Sequence, residues 1–147
     1  MSGALTQWGA GELVLSFFGR TTAPPDMYYL ALIKSTAPTL YVSGAELDEP
    51  ENVDYARVMI SNDALSWSND SQPQIVTCMI DVLYTAAVSD WGQLNYWALC
   101  NAPTEGFNYF VGDLEEPLNV LTGDTPMIGA GDLSVSLGPF YLTDEDS

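Results

Sequence analysis

Residues 90–100 read Asp-Trp-Gly-Gln-Leu-Asn-Tyr-Trp-Ala-Leu-Cys. After the turn at Asp90, Trp91 and Gly92, alternation puts Leu94, Tyr96, Ala98 and Cys100 on one face and Asn95, Trp97 and Leu99 on the other, the period of a β-strand. Large apolar groups on both faces predict a central strand covered from both sides. Each such side chain left in water would forgo about 1.5 to 3 kcal/mol.

The same period recurs along the chain. Strands are predicted over residues 27–34, 39–42, 55–60, 65–67, 107–114, 118–121, 127–128 and 132–137. Turns at Glu115-Glu116-Pro117 and Thr122-Gly123-Asp124 separate the later ones. In the last strand Leu133, Val135 and Leu137 point inward while Ser134 and Ser136 point outward. Residues 74–86 are long enough for one bent strand, or for two joined by a bulge and serving two sheets. Helical spacing appears once, over residues 5–18, where Leu5, Trp8, Leu15 and Phe18 recur. Thr6 or Ser2 caps its start, and Gly19 stands at the left-handed position after its end. Gly9 and Gly11 weaken that helix, and its second half is apolar nearly all round.

About eight short strands with Gly and Pro punctuation predict an all-β fold, an antiparallel β-sandwich or jelly roll with one short N-terminal helix; a closed barrel is the alternative. At 147 residues, 47% of them hydrophobic, the chain has the size and core material of one domain. Residues 1–20 form its N-terminal helical segment and residues 139–147 its acidic tail.

Charge narrows the partners. Twenty acids face three basic residues, Arg20, Lys34 and Arg57, for a net charge of -17. Nucleic acid and anionic membrane are thereby excluded, because both are bound through Lys and Arg. A basic protein surface suits such a chain. No apolar run approaches the length of a membrane helix, and no signal peptide leads the chain.

Candidate chemistry is sparse. There is no His, no Cys-x-x-Cys, no Gly-x-Ser-x-Gly, no phosphate loop and no dinucleotide fingerprint. Cys78 and Cys100 read as small buried hydrophobes. Residues 46–54 hold five carboxylates. They lack the spacing and central Gly of a calcium loop and read as a solvated acidic loop. Asp81 interrupts an apolar strand at an outward or edge position, and Arg57 is expected in a structural ion pair. A glycosidase-like carboxylate pair has no support, because the acids concentrate in turns and loops. No enzyme, metal or cofactor is expected.

The order of several short motifs carries a resemblance. Tyr29-Leu30-Ala31-Leu32 is followed by the acidic segment at Glu46 leading to Tyr55-Ala56-Arg57, then the Trp67 strand and Asp90-Trp91-Gly92. Gly112-Asp113-Leu114 with Pro117, Gly123-Asp124 and Gly131-Asp132-Leu133 complete the series. From about the helix to Leu137 this resembles a family of small tailed-bacteriophage virion proteins, whose members include tail fibre and minor tail proteins related to capsid decoration domains.

The resemblance implies a non-enzymatic virion structural protein, assembled in the host cytoplasm, with other phage structural proteins as partners and several copies forming a homo-oligomer in the particle. An acidic, self-contained domain without a fibre shaft leads to the expectation of a decoration or cement protein on the head exterior. A tail fibre, tail-tip or minor tail component is the alternative. A carbohydrate-binding module is a further one, and it requires exposed tryptophans, whereas Trp91 and Trp97 read as buried. Trp8, Phe17, Phe18 and the loop at Pro24 and Pro25 are the expected partner-contact surface, since exposed aromatics mark interfaces.

Overall fold

Alternating residues become a curled β-sheet in the computed structural model, which describes residues 2–19, 25–69 and 75–136. In chain order the elements are β1 (Ser2–Leu5), α1 (Gln7–Phe17), β2 (Met27–Ile33), β3 (Val58–Ser61), β4 (Trp67–Ser68), β5 (Ile75–Cys78), β6 (Val82–Leu83), β7 (Gly92–Cys100), β8 (Asn108–Val120), β9 (Met127–Ile128) and β10 (Ser134–Ser136). Among the described residues, eight strands form one sheet in the order β3-β2-β7-β8-β1-β10-β5-β4, and β6 pairs with β9 in a separate ribbon. The fold is all-β with a single short helix. Within the segment expected to hold one bent strand or two, β5 joins the large sheet and β6 the ribbon.

The large sheet bends round until its ends face each other. Leu30 and Leu32 of β2, Ile60 of β3, Cys78 of β5, Trp97 and Leu99 of β7 and Val135 of β10 share one buried cluster, which Val82 and Ile128 of the ribbon join. The two edge strands β3 and β4 meet: the Trp67 indole N–H donates to the Ser61 carbonyl at 3.1 Å. Pairing is antiparallel except between β1 and β10, which run parallel, a departure from the all-antiparallel expectation. Strand β1 itself replaces the first residues of the expected helical segment. It slots between β8 and β10, more than 100 residues away in sequence, with Gly3 opposite Gly112. That register leaves room for the Trp97 ring, which a Cβ on Gly3 would meet at 2.2 Å.

Central strand β7 is covered on both faces as its pattern predicts. Ala31, Ile33, Ala98, Cys100 and Val111 form the outer cluster, against which Tyr29, Tyr96 and Leu47 pack. Leu94 is a correction, because it joins Trp97 and Leu99 in the inner cluster. The pairing with β8 shifts between Leu94 and Tyr96, and an irregularity of this kind resets the alternation. Its counterpart on β8 explains a second difference. Glu115, Glu116 and Pro117 make no turn; Leu94 faces Leu118 while Tyr96 faces Asp113, so the segment bulges within one continuous strand. Pro117 has no N–H to pair, and a bulge tolerates that.

Three further expectations resolve simply. Residues 39–42 form no strand. Asp81 is exposed and its carboxylate accepts from the Ala130 N–H at 2.8 Å. Cys78 and Cys100 are buried free thiols, and burial pushes the Cys100 thiol up to about 12.

Candidate attachment surface

Helix α1 begins where Thr6 caps it. The Thr6 side-chain oxygen accepts from the Gly9 N–H at 3.0 Å, and its hydroxyl donates to the Asn108 carbonyl at the start of β8. The Thr6 N–H bonds the Tyr109 carbonyl and the Gln7 N–H bonds the Leu40 carbonyl, so cap, sheet and the 40–43 segment are tied together. Gly9, a weakness by helix propensity, is where helix and sheet touch: a Cβ there would stand 2.7 Å from the Tyr109 carbonyl oxygen. Close backbone approach thus outweighs the propensity cost of about 1 kcal/mol. The helix ends with the Phe18 N–H shared between the Val14 and Leu15 carbonyls, and Gly19 follows at φ 72°.

Only Gly9 of α1 is buried. The apolar second half faces solvent: Val14 and Leu15 are exposed, Phe17 is 76% exposed and Phe18 80%. Beside the helix runs a groove of about 460 Å³, with Trp8, Leu15, Leu40, Tyr41 and Phe107 in its walls and Glu12 and Glu46 as its charged members. Trp8 stacks on Phe107 with centroids 5.1 Å apart and meets Tyr109 edge-on at 4.9 Å. Tyr109 in turn meets Tyr28, and Tyr28 meets Trp67. A file of aromatic rings therefore runs from the groove to the seam of the curled sheet.

A buried ion pair holds the groove walls. The Arg57 guanidinium binds Glu49 through Nε and Nη2, the latter at 2.6 Å, and donates to the carbonyls of Ala102, Glu105 and Gly44. All five N–H groups are engaged, which makes this a satisfied pin and leaves it no free group for acid–base work. The acidic segment is accordingly less solvated than expected, with Glu49 half-buried against Arg57 and Tyr55, whose hydroxyl donates to it at 2.6 Å. Burial opposes the Arg57 charge, but the Glu49 bonds and charge outweigh it and raise the Arg57 pKa. Burial first, then Tyr84 and Glu49, push the Tyr55 hydroxyl well above its ordinary range.

The pin fixes backbone at both sides of the groove. Gly44 follows the 40–43 wall and Glu105 precedes Phe107. The Gly44 N–H bonds the Gly106 carbonyl at 2.8 Å, and the Asn108 side chain donates to the Val42 carbonyl. A Cβ on Gly44 would lie 1.8 Å from the Glu105 oxygen, so only glycine fits.

Of the expected contact residues, Phe17 and Phe18 are exposed and adjacent, while Trp8 is half-buried under Phe107. Pro25 is half-buried in the loop before β2, where its carbonyl accepts from Asn62. Pro24 lies outside the described residues. Sequence reading missed Val14, Leu15, Leu40, Tyr41 and Phe107, which complete the patch. The signal was present in Leu40-Tyr41, two large apolar residues just after Pro38 and before Ser43-Gly44.

Trp91 and Trp97 are buried as expected, whereas Trp8 and Trp67 are half-buried and each packs against another ring. Among the described residues, no group of three or more His, Cys, Asp or Glu stands where it could hold a metal ion. None of their helices is long and apolar enough to cross a membrane. A family model described as Podophage GP4 fiber I protein gp80 matches residues 4–136. No curated protein matches the chain.

Proposed function

We propose that this chain, which belongs to the podophage GP4 fiber I protein gp80 family, is a tail fibre-like component of the phage particle that works by attachment and not by catalysis. Membership in a phage fibre family makes it a virion structural protein. It also supports the tail alternative over the head-decoration reading that the acidic, compact chain suggested. The observation that carries attachment is the outward-facing apolar end of α1. Phe17 and Phe18 stand in water at the C-terminal end of the helix, one turn beyond the residues with which it lines the groove. A monomer normally buries such a patch or uses it.

In this reading the chain acts as one unit. The curled sheet is a rigid mount, Phe17 and Phe18 insert into a neighbouring virion protein, and Trp8 supports the groove from beneath. Pro25 lies outside the contact, because it is half-buried and bonded to Asn62. Repeated copies follow from the symmetry of the structure to which the chain attaches.

The test is copy number by quantitative mass spectrometry of purified particles against the major capsid protein. A tail component gives roughly three to about twelve copies per particle, as closed cyclic symmetry dictates, and head decoration gives on the order of hundreds. Hundreds of copies would return the chain to the head.

A further inference from the structure

We infer that a second pocket, on the outer face of the sheet where Tyr96 and Asp113 stand side by side, takes an arginine side chain of a neighbouring virion protein that is not a copy of this chain; this rests on the attachment reading above. The pocket holds about 310 Å³, and Ala4, Val111, Pro38 and Leu40 line it together with Tyr96 and Asp113. Tyr96 and Asp113 are directly opposed in the pairing of β7 with β8, and opposed residues project from the same face of a sheet. Tyr96 packs on the outer cluster, so its ring and the Asp113 carboxylate share that face. Among the described residues, neither the Asp113 carboxylate nor the Tyr96 hydroxyl has a hydrogen-bond or ionic partner.

An acid beside an aromatic ring suits a guanidinium, whose plane stacks on the ring while its N–H groups bond the carboxylate. The chain has little of its own to supply. Among the described residues Lys34 is spent on Asp48 at 3.8 Å and Arg57 on Glu49 at 2.6 Å, and neither lines the pocket. A net charge of -17 sets two copies against each other. The pocket wall is also fixed before binding. Asp48 accepts from the Ser35 and Thr36 N–H groups at 3.1 and 3.0 Å, and the Gln7 N–H bonds the Leu40 carbonyl. The segment that carries Pro38 is thereby held at both ends, which lowers the ordering cost of binding. Leu40 lines the α1 groove as well, so a partner seated on the attachment face has the pocket within reach.

Particles assembled without this chain are the probe, with purified protein added back and bound copies counted by mass spectrometry. Asp113→Asn should weaken binding by about fivefold or more, and Tyr96→Leu by about threefold. Glu51→Gln removes the same charge from an exposed residue outside the pocket and should change binding by less than about twofold. Asp113 is exposed, so the thermal melt of Asp113→Asn should match wild type. N-acetylarginine amide should displace the wild-type chain more than sodium chloride of equal ionic strength does, and that excess should vanish with Asp113→Asn. An Asp113→Asn chain that binds as Glu51→Gln does, and keeps the excess, overturns the inference; loss of binding in Phe17→Ser with Phe18→Ser would then leave the attachment reading intact. Failure of wild type to bind, together with its absence from native particles, overturns both. Self-association of free wild type that Arg20→Ala and Asp113→Asn each abolish overturns the inference by making a second copy the occupant.

Discussion

The interior around Trp97 and the outer end of α1 are built from the same kinds of residue and meet opposite fates. Trp97 is 0% exposed, enclosed by strands from both ends of the sheet. Phe17 and Phe18 are more than three-quarters exposed, on a helix that touches the sheet only through its first turns. Topology decides the difference. The curled sheet closes its own apolar face, whereas Gly9 brings only the start of α1 against β8 and leaves the rest pointing away. Apolar surface that the fold does not close is available to a partner.

Substitutions should separate the two regions. Trp97→Ala should cost about 3 to 5 kcal/mol, the range for large aromatics removed from a core, read as a lowered urea midpoint. Phe17→Ser with Phe18→Ser should change stability by less than about 0.5 kcal/mol, as surface changes do. Equal losses at the two places would erase the distinction. Arg57→Ala comes next, at about 3 kcal/mol, because it strands Glu49 in a partly buried site and frees three carbonyls. The same variant should speed hydrogen exchange at Gly44 and Phe107, whose N–H groups bond the Gly106 carbonyl and the Asn101 side chain. Unchanged exchange there would show that the pin does not hold the groove.

Gly44→Ala should cost about 1 to 3 kcal/mol by forcing the 44 and 105 backbones apart. Its effect on particle binding should exceed its effect on the core, which tryptophan fluorescence of buried Trp97 can follow.

Acid response should be smallest. Asp48 accepts from the Thr36 N–H, then the Ser35 N–H, with Lys34 adjacent, and these lower its pKa below the ordinary 3.8. A depressed folded value means that its contribution is present above the unfolded pKa and is lost as pH falls through the folded one. The stability difference between wild type and Asp48→Asn should therefore be constant from neutral pH to about 5 and shrink below about 4. A difference that grows on acidification would contradict the assignment.

What could be read in advance follows from range. Strand β7, the Thr6 cap and the β-rich run that holds β5 and β6 depend on neighbours in sequence, and the pattern displayed them. Strand β1 is four residues long and pairs with β8 and β10, so nothing local marks it. The bulge at Glu115–Pro117 looked like a turn because the same residues serve both, and it alone moved Leu94 to the inner face. The exposed end of α1 was half legible. Phe17 and Phe18 announced an apolar helix, but that the helix would not fold them inward depended on Gly9 meeting β8. The Arg57 pair was expected, whereas its partner Glu49 was hidden among five neighbouring acids.

Hydroxyl-radical footprinting of the wild-type chain, free and within purified particles, tests the central claim most directly, since it reads the solvent exposure of individual side chains. Phe17, Phe18 and Tyr41 should be oxidised readily in the free chain and protected in the particle, while exposed Met59, Leu65 and Met79 remain equally reactive in both. Equal oxidation of Phe17, Phe18 and Tyr41 in the two states would contradict attachment through this face.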